Sequence, residues 1–260
     1  MKEEQSNEVF FKKATDALEE LFERAQKVNE IHFALALMSE FRGMQDVGWS
    51  TADDALHAYK EYIELIKKIP DGTPIKIRVM LAFYNHVSEG SGFYEIPKKL
   101  LLTIGGEGNN LVPFQKLVKK HKTTGLMIAP NANKVMADMI GHAAELGLNN
   151  LAEIIRDAFN PDVRNAVAHA DYIIAPDGLR LRRRNGGQPQ IIPWTELILI
   201  LERGINFFNI IRNMTESYMQ SYDPPKEVKG RLYKNEPEFK YVIKYNPQNG
   251  SFGISTKHSI

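Results

Sequence analysis

Arg164, Asn165 and His169 crowd into one short stretch, Asn160-Pro161-Asp162-Val163-Arg164-Asn165-Ala166-Val167-Ala168-His169-Ala170-Asp171-Tyr172. Asn-Pro-Asp has the chemistry of a helix start. Asn accepts from free backbone N–H groups, Pro fits the first turn, and an acid there meets the positive end of the helix dipole. On the helix this opens, Asn165 and His169 are four residues apart and share a face. Arg164 lies five before His169, about 140° around, and its long side chain can still swing toward that face. Asp171 and Tyr172 follow as a supporting acid and hydroxyl. Histidine can take and return a proton near neutral pH. Arginine stays charged and grips phosphate or carboxylate oxygens in a planar fork. Together they suit metal-free cleavage of a phosphodiester with the ribose 2′-hydroxyl as internal nucleophile. The competing reading is a buried Arg–Asp or His–Asp network that merely holds helices together.

Most of the chain up to residue 220 reads as the helices that must position this stretch. Val9, Phe10, Ala14, Ala17, Leu18, Leu21, Phe22 and Ala25 recur at spacings of three and four, an amphipathic stripe. Residues 30–47 continue with Ile31, Phe33, Ala34, Leu37, Met38 and Phe41. A further helix starts after Ser50 or Thr51 and stops at Pro70-Asp71-Gly72. The next follows Pro74, with Ile75, Val79, Leu81, Ala82 and Val87 as its apolar set, and another runs from Tyr94 to about Ile104. Residues 111–133 look irregular, with short helical pieces between Pro113 and Pro130. Helix returns at 131–147 and 149–159. After the motif the period changes to two: Tyr172 to Ile174 and Leu179 to Arg183 flank Pro176-Asp177-Gly178 as a hairpin, and Gln190 to Ile192 offers a third short strand. Pro193 opens a long helix to about Gln220, and Asp223-Pro224-Pro225 breaks it. The tail, 221–260, reads as short strands and turns that form a small hairpin or stay partly unstructured.

Composition limits the available chemistry. The chain has 260 residues and no cysteine, so disulfides, thiolate zinc sites and Cys nucleophiles are excluded. With 43% hydrophobic and 25% charged residues it is an ordinary globular composition, long enough for a substantial core. The N-terminal residues lack a signal-peptide core, and no run approaches the roughly 18 apolar residues of a membrane span. A cytoplasmic protein with no membrane partner is therefore expected. The glycine-rich loop at 105–110 lacks the Lys-Ser or Lys-Thr of a P-loop and the third glycine of a dinucleotide fingerprint. His86/Glu89 and His142/Glu145 each share a helix face, but no HExxH or matching ligand set accompanies them. No metal or cofactor is expected.

Arg164, followed by the polar Asn165, three more residues and His169, resembles the Arg-x(4–6)-His signature of the HEPN superfamily. The wider stretch RNAVAHADYII, then PDGLRLR and a long helix, is similar to HEPN proteins of abortive-infection and toxin-like systems, and so is RVMLAFYNHVSEGSGFYEIPKKLL upstream. The resemblance extends over about residues 74–215. It implies a mainly α, multi-helix bundle that dimerises and brings two Arg–His motifs into one cleft; with the strands read above, the expected fold adds a small β-hairpin insertion after the motif helix and a short β-rich tail. The N-terminal helices and the tail lie outside the resemblance; from the helical periodicity, residues 1–220 are expected to form one HEPN-like helical domain, with 1–70 as a candidate separate subdomain and 221–260 as the tail. Active members are metal-independent endoribonucleases. His169 would then be the acid/base, Arg164 the group stabilising the pentavalent phosphate, and Asn165 a polar positioning residue. Other members are inactive binding modules.

Arg180, Arg182, Arg183 and Arg184 add four cations in five residues just downstream. Arg180 and Arg182 alternate with Leu179 and Leu181 and would share a strand face, a candidate RNA-backbone contact or simply a solvated hairpin. Lys116, Lys119, Lys120 and Lys122 form a second, weaker basic cluster. The net charge of +1 is thus an average: residues 1–40 hold nine acids against five bases, while the arginines gather beside the motif. With the HEPN resemblance, RNA, a second copy of the chain and an antitoxin or sensor protein are the partners implied, in phage defence or toxin–antitoxin pairing.

Overall fold

The computed structural model describes residues 2–38, 51–108, 110–182, 188–233 and 235–256. The helical first half comprises α1 (Lys2–Val28), α2 (Glu30–Leu37), α3 (Thr51–Lys68), α4 (Pro74–Glu89) and α5 (Ser91–Ile104). A short ribbon, β1 (Lys119–Lys120) and β2 (Met127–Ile128), precedes α6 (Ala132–Glu145), α7 (Asn149–Ala158) and α8 (Pro161–Ala168). Strands β3 (Tyr172–Ala175), β4 (Gly178–Leu181) and β5 (Gln190–Ile192) lead into α9 (Trp194–Gln220). The chain ends in β6 (Lys226–Gly230), β7 (Phe239–Asn246) and β8 (Ser251–Thr256). The protein is mostly helical, with small antiparallel sheets. Among the described residues no helix is long and apolar enough to cross a membrane.

The main core joins α1, α2, α5, α6, α7 and α9. The α1 stripe buries Phe10, Ala14, Ala17, Leu18, Leu21, Phe22 and Ala25, as the periodicity requires. Val9, counted in that stripe, is instead exposed, because it sits about 100° around the helix from Phe10. The first helices do not stand apart, since Phe22 and Phe33 share this core with Phe207 and Ile211 of α9.

A second core lies under the motif: Leu81 and Tyr84 of α4, Val163 and Ala166 of α8, Leu179 and Leu181 of β4, Ile192 of β5, and Leu197 and Leu201 of α9. A third joins Phe83 and Val87 of α4 to Ile205 and Phe208 of α9, with Tyr59 and Tyr62 of α3 packed against it. The two aromatics of α4 are thus its main anchors, one in each of these cores. Ile75 and Ala82, expected on its apolar face, are exposed. Gly204 lets α4 and α9 approach. A Cβ there would overlap the Tyr84 ring and press on the Ala158 carbonyl oxygen.

Four local expectations differ in detail or run past the described residues. The irregular stretch expected over 111–133 has one short helical piece, the 3-10 turn Gln115–Leu117, and adds an unexpected β1–β2 ribbon before α6. Strand β4 ends at Leu181 rather than at Arg183, and Arg183 and Arg184 lie outside the described residues. The predicted helix from 30 to 47 is described only as far as Met38, with α2 ending at Leu37. The tail forms a three-stranded antiparallel sheet in the order β6-β7-β8 rather than a hairpin. The period-two pattern of β7 turns Tyr241 and Ile243 inward, and Ile243 completes the main core.

Candidate functional site

Helix α8 begins as its sequence requires. The Asn160 side chain accepts from the N–H groups of Asp162 (3.1 Å) and Val163 (3.0 Å), Pro161 occupies the first turn, and Asp162 adds an acid there. The Asn160 N–H in turn donates to the Tyr84 hydroxyl at 2.7 Å, tying the start of α8 to α4. Burial pushes the Tyr84 hydroxyl pKa up to about 12, so it stays neutral and polarisable as an acceptor.

The end of α8 is equally defined. His169 is the C-cap, and Ala170 takes a left-handed backbone with φ of 54°. The Asp171 N–H reaches the Ala166 carbonyl at 2.8 Å and the Ala170 N–H reaches that of Val167 at 3.2 Å, the paired closure of a Schellman motif. Glycine is the usual residue at such a position, and alanine there costs roughly 1 kcal/mol of backbone strain. The strained turn directs the chain from α8 into β3. Arg182 N–H donates to the Asp171 carbonyl at 2.9 Å and extends the β3–β4 pairing back to the helix end.

Within α8, Val163 and Ala166 face the second core. Arg164 is only 8% exposed, and its guanidinium forms an ion pair with Glu89, the last residue of α4. Its Nη1 donates to Asn165 Oδ1 at 2.8 Å. Asn133 of α6 donates to that same oxygen at 3.5 Å, a long contact. The Asn133 Oδ1 and Arg164 Nε atoms are buried with no hydrogen-bond partner. Burial pulls the Arg164 pKa below its ordinary value, but a guanidinium paired with a carboxylate keeps its charge. His169 is exposed one turn beyond Asn165, whose carbonyl accepts the His169 N–H at 3.1 Å. Asp171 and Tyr172 are half-buried, with Tyr172 packed against the second core.

Three elements thus converge here: α4 supplies Glu89, α6 supplies Asn133 and α8 supplies Arg164 and Asn165, with His169 at the α8 C-cap. Among the expected site residues, the structure brings Arg164 and Asn165 into direct contact and leaves His169 open to solvent. Glu89 and Asn133 are the two residues that sequence reasoning missed in this role. Glu89 stood out only as the partner of His86; its carboxylate turns to Arg164 instead. The buried His86 Nε2 has no hydrogen-bond partner.

The arginine-rich hairpin divides. Arg180 is half-exposed and held by Asp177, with its Nη2 at 3.0 Å from Oδ2, so part of its charge is already answered. On β4 it lies between Ile173 of β3 and Ile191 of β5, so the outward face of this sheet is apolar at both flanks. Arg182 is exposed just past β4. His142 sits elsewhere, on α6, 2.9 Å from Lys98 Nζ, which also pairs with Asp138 at 2.8 Å. Burial and the Lys98 charge both lower the His142 pKa, so its ring is a neutral acceptor for the lysine. No cluster of three His, Cys, Asp or Glu side chains able to hold a metal occurs among the described residues. The chain matches no family model, no curated protein and no solved structure.

Proposed function

We propose that the protein is a metal-independent endoribonuclease of HEPN type, working as a dimer in phage defence or a toxin–antitoxin pair. The observation that supports this reading is the placement of the motif. Arg164 and Asn165 are fixed side by side by Glu89 and Asn133, one helical turn before an exposed His169. In the reaction, His169 takes the proton of a ribose 2′-hydroxyl as that oxygen attacks the adjacent phosphorus. Arg164 steadies the extra negative charge on the equatorial oxygens. The P–O5′ bond then breaks, and a proton returned to the 5′ oxygen leaves a 2′,3′-cyclic phosphate. Arg164 reaches a phosphate only when the anion shares or replaces the Glu89 carboxylate. Arg182, with Arg183 and Arg184, would guide the RNA backbone.

The test is cleavage of labelled single-stranded and transfer RNA by the purified protein in EDTA. His169→Ala is expected to lower the rate by about 10²–10⁴-fold, the usual weight of a general acid–base. Cleavage by His169→Ala at the parent rate sinks the assignment.

The burial of Arg164 favours a second reading. An arginine nine-tenths buried and already paired with Glu89 also suits a non-catalytic HEPN-like module that binds RNA, nucleotide or a protein. That reading holds if the parent binds RNA without cutting it and Arg164→Ala lowers stability more than binding.

A further inference from the structure

The segment between α5 and α6 has a composition unlike the rest of the chain. Residues 105–131 contain four lysines and one acid, Glu107, which pairs with Lys116 at 2.9 Å, and no Asp or Glu follows it before α6. Its base is anchored, because Phe114 is buried in the main core and Leu117 packs beside it. Beyond that anchor every residue from 119 to 129 is exposed. The β1–β2 register sets Lys119 opposite Ile128 and Lys120 opposite Met127. Lys119, Lys120 and Lys122 therefore lie on one strand and its turn, and Met127 and Ile128 on the other. Leu126 is 68% exposed, Met127 62% and Ile128 47%, with Leu111 and Val112 more than half exposed at the base. One long edge of the arm is cationic and the other is apolar.

Three consecutive exposed aliphatic side chains on a short two-stranded ribbon, which put apolar groups on both of its faces, are unfavourable in water and mark a docking surface. The occupant must reward both edges. RNA would use the lysines but leave Leu126, Met127 and Ile128 in water, and the arm shows no exposed ring for bases to stack on apart from His121. A second copy would use the aliphatic edge but not the lysines, and an arm of this size falls well short of the roughly 20–30 residues a side of a stable dimer. A bilayer rich in anionic phospholipid uses both: lysines meet the phosphate headgroups while their stems and the aliphatic edge enter the acyl boundary.

We propose that the 111–128 arm docks the protein on an anionic phospholipid surface, resting on the bilayer without spanning it. The expectation of no membrane partner rested on the lack of an apolar span, which a surface contact does not need.

The test is pelleting with vesicles of phosphatidylcholine alone or with phosphatidylglycerol added. The parent protein is expected to pellet with the anionic vesicles and to stay in solution with the neutral ones. Leu126→Ser/Met127→Ser and Lys119→Glu/Lys120→Glu should each weaken apparent binding by on the order of tenfold, with unchanged thermal melts. Leu126→Ile/Met127→Leu should bind as the parent does, which separates loss of apolar contact from damage to the fold. Failure of the parent to pellet with anionic vesicles overturns the proposal. So does undiminished pelleting of the serine variant, and so does a single-stranded RNA that binds the parent, ignores the serine change and is lost with the glutamate change.

Discussion

Helix α8 and the 111–128 arm are both short and both carry cations, yet the fold treats them in opposite ways. The cation of α8, Arg164, is drawn inward and answered by Glu89, and the helix is tied at its start by Tyr84 and at its end by the turn at Ala170. Beyond Phe114 and Leu117 the two strands of the arm pair with each other, and the lysines and aliphatic side chains of 119–129 face solvent. Charge held by neighbouring elements is fixed in place and suits a task that needs geometry. Charge on an exposed ribbon is open to solvent and suits contact with a diffuse surface. The two regions should therefore respond very differently to the same truncation.

The largest difference is expected in the cores beneath them. Leu179 is fully buried in the second core, so Leu179→Ala should cost about 2–5 kcal/mol. Met127→Ala removes a comparable side chain from the exposed arm and should change stability by no more than about 0.5 kcal/mol. Denaturant melts of the two variants make the comparison. Similar losses would mean that the arm packs against the protein in solution, and the contrast with α8 would fall.

A smaller effect tests how α8 is tied down. Tyr84→Phe keeps the buried ring and removes the hydroxyl that accepts from Asn160 N–H. Leaving that donor unanswered should cost about 1–2 kcal/mol. Hydrogen exchange should localise the change, with faster exchange at Asn160, Asp162 and Val163 than in α1. A loss spread evenly over the protein would show that Tyr84 serves general packing rather than the start of the motif helix.

What could be read beforehand divides along the same line. The start of α8 was legible because Asn160, Pro161 and Asp162 act on backbone groups within three residues of themselves. The strands after it were legible from their period of two and the Pro-Asp-Gly turn. Glu89 and Asn133 were not, since each meets Arg164 or Asn165 across a tertiary contact that spacing along the chain does not encode. The two anchors of α4, Phe83 and Tyr84, were hidden for a related reason. They face different cores, so no single apolar stripe contains both. The ribbon escaped notice because two-residue strands are too short to show a period, and Leu126-Met127-Ile128 without one reads as irregular chain. The tail sheet depends on Ile243 finding the main core, again a long-range event.

The smallest expected effect bears most directly on the site. Ala170 holds a left-handed conformation that glycine adopts without penalty, directly after His169. Ala170→Gly relieves roughly 1 kcal/mol of strain in the folded protein. It also loosens the unfolded chain, which takes back about 0.4–1 kcal/mol. The net change in stability should therefore lie within about 0.5 kcal/mol of zero. Under the ribonuclease reading, RNA cleavage should fall all the same, because the glycine frees the turn that sets His169 relative to Arg164. Unchanged stability with reduced cleavage would mark the Ala170 turn as a positioning device for His169. Unchanged stability with unchanged cleavage would mean that the turn merely joins α8 to β3, and that the placement of His169 depends on α8 alone.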